Sequence, residues 1–359
     1  CNVNWADGSM DSLGNCTTPV TRTHEYGTLG SFSVVLSITD DTETTNVTHT
    51  VSVTNNPRID ANGNLLVPDS LEGSNDILIY KSSRGGHLVK RNATTYGPFF
   101  PTTGTTVVIT GDYPDRITIV SDTLCGNVDA GGGDNIFNGS GCDDTFVATD
   151  GRNVVIAGAG NDTITVGNGD NDIDAGAGDD VVTTGSGNDE IIGRDGNDVL
   201  NGGGGNDDIS GERGDDIIRG GDGNDTLSGG EGNDIVLGEA GQDRVFGRQG
   251  NDILFGGLGA DDVQGNNDDD IVVGGGVTLD NVALGHIRSE WTSNNLASTR
   301  LSNILIGAGL TMGNALNSTT VTADGALDGL HGGSGDDPHL YHVEDRLTLV
   351  TAGDTATLL

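Results

Sequence analysis

Lysine is nearly missing from this chain of 359 residues. Lys81 and Lys90 are its only lysines, and Lys plus Arg number 16 against 54 Asp plus Glu. The resulting formal net charge of −38 excludes electrostatic capture of nucleic acid or of an anionic membrane. A chain so charged repels itself unless cations neutralise it. Aromatic residues are only 4%, too few for an ordinary close-packed core. No apolar run approaches the ~20 residues that span a bilayer, and no basic, apolar targeting segment stands at the start. Catalytic signatures are also missing: there is no nucleophile elbow, no H-E-x-x-H and no phosphate loop. The G-x-G phrases precede short strands rather than helices, which excludes a dinucleotide fingerprint. Paired carboxylates are so frequent that they carry no glycosidase signal. These absences read as a protein that is not an enzyme.

Glycine, by contrast, occurs 61 times, and its placement is periodic. In GGDGNDTLSGGEGNDIVLG, residues 220–238, one nine-residue phrase occurs twice. Stepping by nine from Asp225 finds Asp234, Asp243, Asp252, Asp261 and Asp270 upward, and Asp216, Asp207, Asp198, Asp189 and Asp180 downward. The ladder continues through Asn171 and Asp162 and, after a one-residue insertion, through Arg152, Asp143 and Asp134. A second ladder lies two residues after each rung, running from Ile136, Thr145, Val154 and Ile164 to Val263 and Val272. Glycine commonly precedes the rung by two. Two registers held this long set aside the disorder that an acidic, Gly-rich composition would otherwise suggest.

A unit of nine is too short for a helix pair but fits a tight glycine turn and a strand of about three residues. Two units close one coil, and stacked coils make parallel sheets with one aliphatic per strand facing in. Residues 18 apart then lie above one another. Asp180, Asp198, Asp216, Asp234, Asp252 and Asp270 line one edge, and Asp189, Asp207, Asp225, Asp243 and Asp261 the other. Columns of carboxylates ~5 Å apart repel unless a hard divalent cation lies between rungs, and calcium takes six to eight oxygens from carboxylates and carbonyls. Residues 134–272 carry 31 acids against six bases, and no His or Cys belongs to the repeat, which argues against zinc or copper. Aspartate could cap a turn through its own backbone, but Asn or Ser would do so without the charge.

This phrase resembles the RTX (repeats-in-toxin) calcium-binding nonapeptide. The resemblance implies a parallel β-roll in which calcium lies between turns of successive coils, held by the aspartates and by glycine-turn carbonyls. Its ligands here would be Asp162 and the two columns, with Gly178, Gly187, Gly196, Gly205, Gly214, Gly223, Gly232, Gly241 and Gly250. Arg152 and Asn171 depart from the pattern, and the Arg152 guanidinium is expected to stand in for a cation beside Asp134.

The fold class expected is all-β: a parallel β-roll (β-solenoid) of about eight coils, an N-terminal partial β-sandwich and a small helical insert near the C-terminus. Residues 1–56 alternate polar and apolar, as in HEYGTLGSFSVVLSITDDTETTNVTHTVSVTN, and resemble the latter part of a PKD-type immunoglobulin-like domain. First strands missing from such a domain would leave a sheet edge open to a strand of another copy, against the plainer reading of a truncated or processed chain. Residues 57–122 read as a β-rich lead-in capping the roll, with GSNDILIY a broken repeat; residues 123–276 are the roll; residues 277–359 are a cap in which repeats resume at Asp328 and Asp337. In that cap Val282, Leu284, Ile287, Trp291 and Leu296 have helical spacing behind Asp280 as N-cap. His286, His331, His339 and His342 read as packing and surface residues.

The four cysteines suit disulfides and an extracytoplasmic home; lipidation of Cys1 is the lesser reading. Cys125 and Cys142, almost one coil apart, would come within the disulfide window, leaving Cys1 with Cys16. The function expected is an extracellular, bacterial, calcium-rigidified structural or adhesive protein, with assembly into a homo-oligomer, filament or surface layer. Its alternative is a calcium-triggered export and folding module of a larger secreted enzyme or toxin. A solenoid binding ice or glycan would need outward rows of Thr or aromatics at 18-residue spacing, which are not evident.

Overall fold

A computed structural model describes residues 123–293 without interruption and residues 56–121 apart from 69–73, 82–85, 100 and 102–104. Beyond these limits it describes only the strands named below and the exposure of Leu330 and His331. Contacts divide the chain into two units, Cys1–Pro57 and Arg58–Leu359.

The first unit contains an antiparallel sheet in the order Met10–Ser12, Asn2–Asn4, Gly30–Thr39, Thr44–Val53. Its long hairpin pairs from Gly30 with Val53 to Thr39 with Thr44, as the β-branched alternation of both segments favours. Cys1 and Cys16 lie outside the described residues, and so does their expected pairing.

The second unit is a parallel β-solenoid of about nine turns. Each coil alternates between two sheets, and strands 18 residues apart pair in register. In one sheet Ile218, Val236, Leu254 and Val272 stack; in the other Ile209, Leu227, Val245 and Val263 stack. These side chains are fully buried and form one continuous core. The strands from Glu190–Asp195 to Asp262–Asn267 are six residues long, not about three. Pairing runs on through the glycine positions, as in Gly203 with Gly221 and Gly221 with Glu239.

The roll extends further in both directions than residues 123–276. Leu65–Val67 and Thr105–Ile109 pair parallel in one sheet, and Asp76–Lys81 and Arg116–Val120 in the other. The lead-in therefore supplies coils. Its antiparallel strands His87–Arg91 and Thr94–Phe99 extend the second sheet beyond Asp76–Lys81. Downstream, Gly329–Ser334 re-enters parallel to Asp262–Asn267, with Leu330 beside Val263. Asp328 and Asp337 lie outside the described residues. The outward threonine row is limited, among the described residues, to Thr145 beside Thr163 and Thr165 beside Thr183.

The insert begins with α1, Asn281–Trp291, whose Ala283 N–H donates to the N-cap Asp280 carboxylate at 2.8 Å. Leu284, Ile287 and Trp291 pack on the outer face of the first sheet, against Ile235, Leu237, Ile253, Phe255, Ile271 and Val273. The Trp291 indole donates to the Asp269 carbonyl at 2.8 Å, and Arg288 donates to the Asp216 and Asn233 carbonyls. Val282 is 68% exposed and lies off the packed face. Leu296 is outside the described residues. This helix builds a second apolar layer outside the interior core and carries, among the described residues, the largest fully buried side chain, Trp291.

Candidate metal centre

Both aspartate columns form as vertical hydrogen-bonded ladders. On one edge the main-chain N–H of Asp180 donates to Asp198 Oδ1, and Asp198 to Asp216, Asp216 to Asp234 and Asp234 to Asp252, each at 2.8 Å. Asp252 donates to Asp270 at 2.9 Å. On the other edge Asp189 donates to Asp207 at 2.8 Å, and Asp207 to Asp225, Asp225 to Asp243 and Asp243 to Asp261 at 2.9 Å. Asp162 donates to Asp180 at 2.6 Å. All are buried. An N–H therefore stands beside each Oδ1 and offsets part of the repulsion within a column.

The second carboxylate oxygen is different. Oδ2 of Asp162, Asp180, Asp189, Asp198, Asp207, Asp216, Asp225, Asp234, Asp243 and Asp252 is buried without a hydrogen-bond partner. Such an atom costs about 1–3 kcal/mol, more when charged, and six in succession on one edge with four on the other are a pattern rather than a defect. At the seven rungs from Asp198 to Asp252 glycine occupies the position five residues before, and its missing Cβ leaves room for Oδ2 there; at Asp162, Asp180 and Asp189 that position is Ala157, Ala175 and Thr184. A Cβ added to Gly202 would lie 2.5 Å from Asp207 Oδ2 and 2.8 Å from the Gly220 carbonyl of the next coil. Gly193, Gly211, Gly220 and Gly247 repeat this cradle.

Glycines two residues before the rungs, Gly178, Gly187, Gly196, Gly205, Gly214, Gly223, Gly232, Gly241 and Gly250, all have φ between 117° and 158°. A Cβ at Gly223 (φ 139°) would also overlap the Gly205 carbonyl beneath it. Among the described residues no three His, Cys, Asp or Glu side chains converge on one point. The donor set is instead one carboxylate per turn plus main-chain carbonyls. That suits a hard cation sharing adjacent turns and not a tetrahedral zinc site.

Burial pushes the column carboxyls up: Asp234 to about 9, Asp252 to about 8, Asp162, Asp180, Asp207, Asp216 and Asp243 to about 7, and Asp198 to about 6. Neighbouring carboxylates add to the rise at Asp234 and Asp252. A cation is what would keep such groups ionised at neutral pH.

Upstream of Asp162 the expected register is corrected. There is no insertion: the rungs are Asn153, Asp144 and Asn135, not Arg152, Asp143 and Asp134. Asp144 N–H donates to Asp162 Oδ1 at 2.6 Å, and Asn153 N–H to Asn171 Oδ1 at 3.0 Å. The inward residues are accordingly Phe137, Phe146 and Val155, all buried, in place of Ile136, Thr145 and Val154. The bulkier rings win the interior. Asn75 of GSNDILIY joins the same edge, where its side chain donates to Asp115 Oδ1 at 3.0 Å. Arg152 is exposed and meets Asp134 through its main-chain N–H at 2.9 Å, so the guanidinium is not the contact.

One ladder escaped the sequence reading. Residues just before the rungs bond in the opposite direction: Asn197 N–H donates to Asp179 Oδ1, Asp215 to Asn197 and Asn233 to Asp215, each at 2.8 Å. The signal was the Asn or Asp just before these rungs, in G-N-D or G-D-D, at the same 18-residue spacing. Cys125 and Cys142 form the expected disulfide, with Cα atoms 5.5 Å apart.

A solenoid with a carboxylate at each turn from Asp180 to Asp270, beside main-chain carbonyls, defines a calcium-binding β-roll. The family model described as RTX calcium-binding nonapeptide repeat (4 copies) matches residues 127–154, 147–182, 183–218, 210–245, 219–254 and 246–277. This segment is an RTX β-roll whose repeats bind multiple Ca2+ ions. No curated protein and no solved structure matches the chain. No described helix is long and apolar enough to cross a membrane.

Proposed function

We propose that the protein is a secreted bacterial structural or adhesive module whose roll is folded and stiffened by calcium, with no catalytic role. The observation that carries this reading is the set of ten buried, unpartnered Oδ2 atoms, seven of which, from Asp198 to Asp252, face glycine-built cradles. The ligands proposed are the aspartates Asp162 to Asp270 of the two columns and the carbonyls of the turn glycines. A net charge of −38 opposes the metal-free roll, and calcium binding to the folded form supplies the stabilisation. Outside a cell, where calcium is abundant, the module becomes a rod; in a low-calcium cytosol most of it stays open, which also suits the second reading, an export and folding segment of a larger secreted protein. The PKD-like sequence of the N-terminal sheet supports a spacer role, and pairing with a second copy is proposed to run through that sheet.

Circular dichroism and particle size through a calcium titration, reversed with chelator, test this. The expected result is a cooperative gain of β signal, with growth in size if copies assemble. A complete roll in chelator would overturn the calcium reading, and a constant monomeric size would overturn the filament.

A further inference from the structure

Not every turn of this roll needs a cation. Asn135, Asn153 and Asn171 are buried rungs on one edge. Each side-chain amide donates to the carbonyl of the glycine two residues back: Gly133 at 3.0 Å, Gly151 at 3.1 Å and Gly169 at 2.7 Å. Each also donates to Oδ1 of the next rung: Asn153 at 3.0 Å, Asn171 at 2.9 Å and Asp189 at 2.8 Å. In the aspartate turns the atom isosteric with that nitrogen is an Oδ2 without a partner. An amide nitrogen bridges two acceptors by itself, whereas a carboxylate oxygen facing carbonyls requires a cation between them.

The opposite edge is closed in this way at Asp144 but not at Asp162, whose Oδ2 has no partner. Asp144 accepts the Ser140 N–H at 2.6 Å, the Ser140 hydroxyl at 3.0 Å and the Gly126 N–H at 2.5 Å, so both its oxygens are engaged. These coils also hold the Cys125–Cys142 disulfide and the Phe137–Phe146 ring stack, with centroids 5.0 Å apart. Ile117, Ile119 and Leu124 fill the interior beside them.

We propose that residues 105–159 form a metal-independent seed, extended on one edge by the Asn171 turn, in which the amides of Asn135, Asn153 and Asn171 stand where calcium stands downstream. The calcium-loaded coils then add to it in the N-to-C direction. This rests on the reading that the aspartate columns hold calcium. The seed ends in a ready template: Asn171 presents two N–H donors to Asp189 Oδ1, and Asp144 presents one to Asp162 Oδ1. A coil added to a finished neighbour avoids the cost of nucleating a roll afresh.

Hydrogen–deuterium exchange on the full chain, in chelator and in excess calcium, tests the proposal. Amides of 117–129, 145–156 and 172–174 should stay protected in both conditions, while those of 199–267 should lose protection by about 100-fold or more in chelator. Asn171→Asp should move the boundary one coil upstream, so that amides around Ile173 also become calcium-dependent. Equal loss of protection upstream and downstream in chelator would overturn the seed, as would an unchanged boundary in Asn171→Asp. Protection of 199–267 in chelator would instead overturn the calcium reading of the columns, and the seed with it.

Discussion

Asn171 donates both its main-chain N–H, at 2.7 Å, and its side-chain amide, at 2.8 Å, to the single oxygen Oδ1 of Asp189. Above this contact the edge is closed by amides; below it the edge is closed by carboxylates. The same fold thus contains turns complete in themselves and turns that await a cation.

Replacing one carboxylate deep in the array tests the columns. Asp225→Asn removes a charge and leaves the N–H contact of Asp207 with its acceptor oxygen. We expect the bound calcium to fall by about one or two ions per chain, since a rung serves the turns on either side of it. Calcium counting by titration calorimetry checks this; an unchanged count would remove Asp225 from the ligands.

The glycine cradle predicts a contrast between near neighbours. In Gly202→Ala the new methyl would meet Asp207 Oδ2 at 2.5 Å and the Gly220 carbonyl at 2.8 Å, whereas at Gly204 the nearest atom is 3.7 Å away. Gly202→Ala should cost about 1–3 kcal/mol by overpacking and lower calcium affinity. Gly204→Ala should change little. Thermal melts of both variants in calcium decide it.

Protons should substitute for calcium in the metal-free roll. Asp234, Asp252 and Asp207 rise from 3.8 to about 9, 8 and 7 because burial disfavours their charged form. Between about pH 4 and these values the folded state binds more protons than the unfolded one, so stability falls as pH rises. In chelator, acidification from pH 8 to pH 5 should therefore increase the β signal in circular dichroism. In calcium the same acidification should weaken metal binding, because protons compete for the carboxylates.

α1 should stabilise the downstream coils. Trp291 is 1% exposed and Val282 is 68% exposed on the same helix. Trp291→Ala should cost about 3–5 kcal/mol, and Val282→Ala should stay within about 0.5 kcal/mol of the parent. Denaturant unfolding in calcium measures both; equal effects would contradict the packing of the helix.

The downstream columns were legible because an unbroken nine-residue period places Asp180 to Asp270 in register whatever the detail of the strand. The α1 N-cap at Asp280 was legible for a similarly local reason. Upstream, Arg152, Asp143 and Asp134 imitate the pattern one residue early, each with Val154, Thr145 or Ile136 two places on. Only the packing shows that Phe137, Phe146 and Val155 face inward and that Asn153, Asp144 and Asn135 are the rungs. The sequence by itself determined the period, the glycine turns and an interior one aliphatic wide, since these depend on neighbours within nine residues. The tertiary structure alone decided which turns are complete and which need calcium. That depends on the residue 18 places away, whose carbonyl, amide or carboxylate meets each rung only after the coils have stacked.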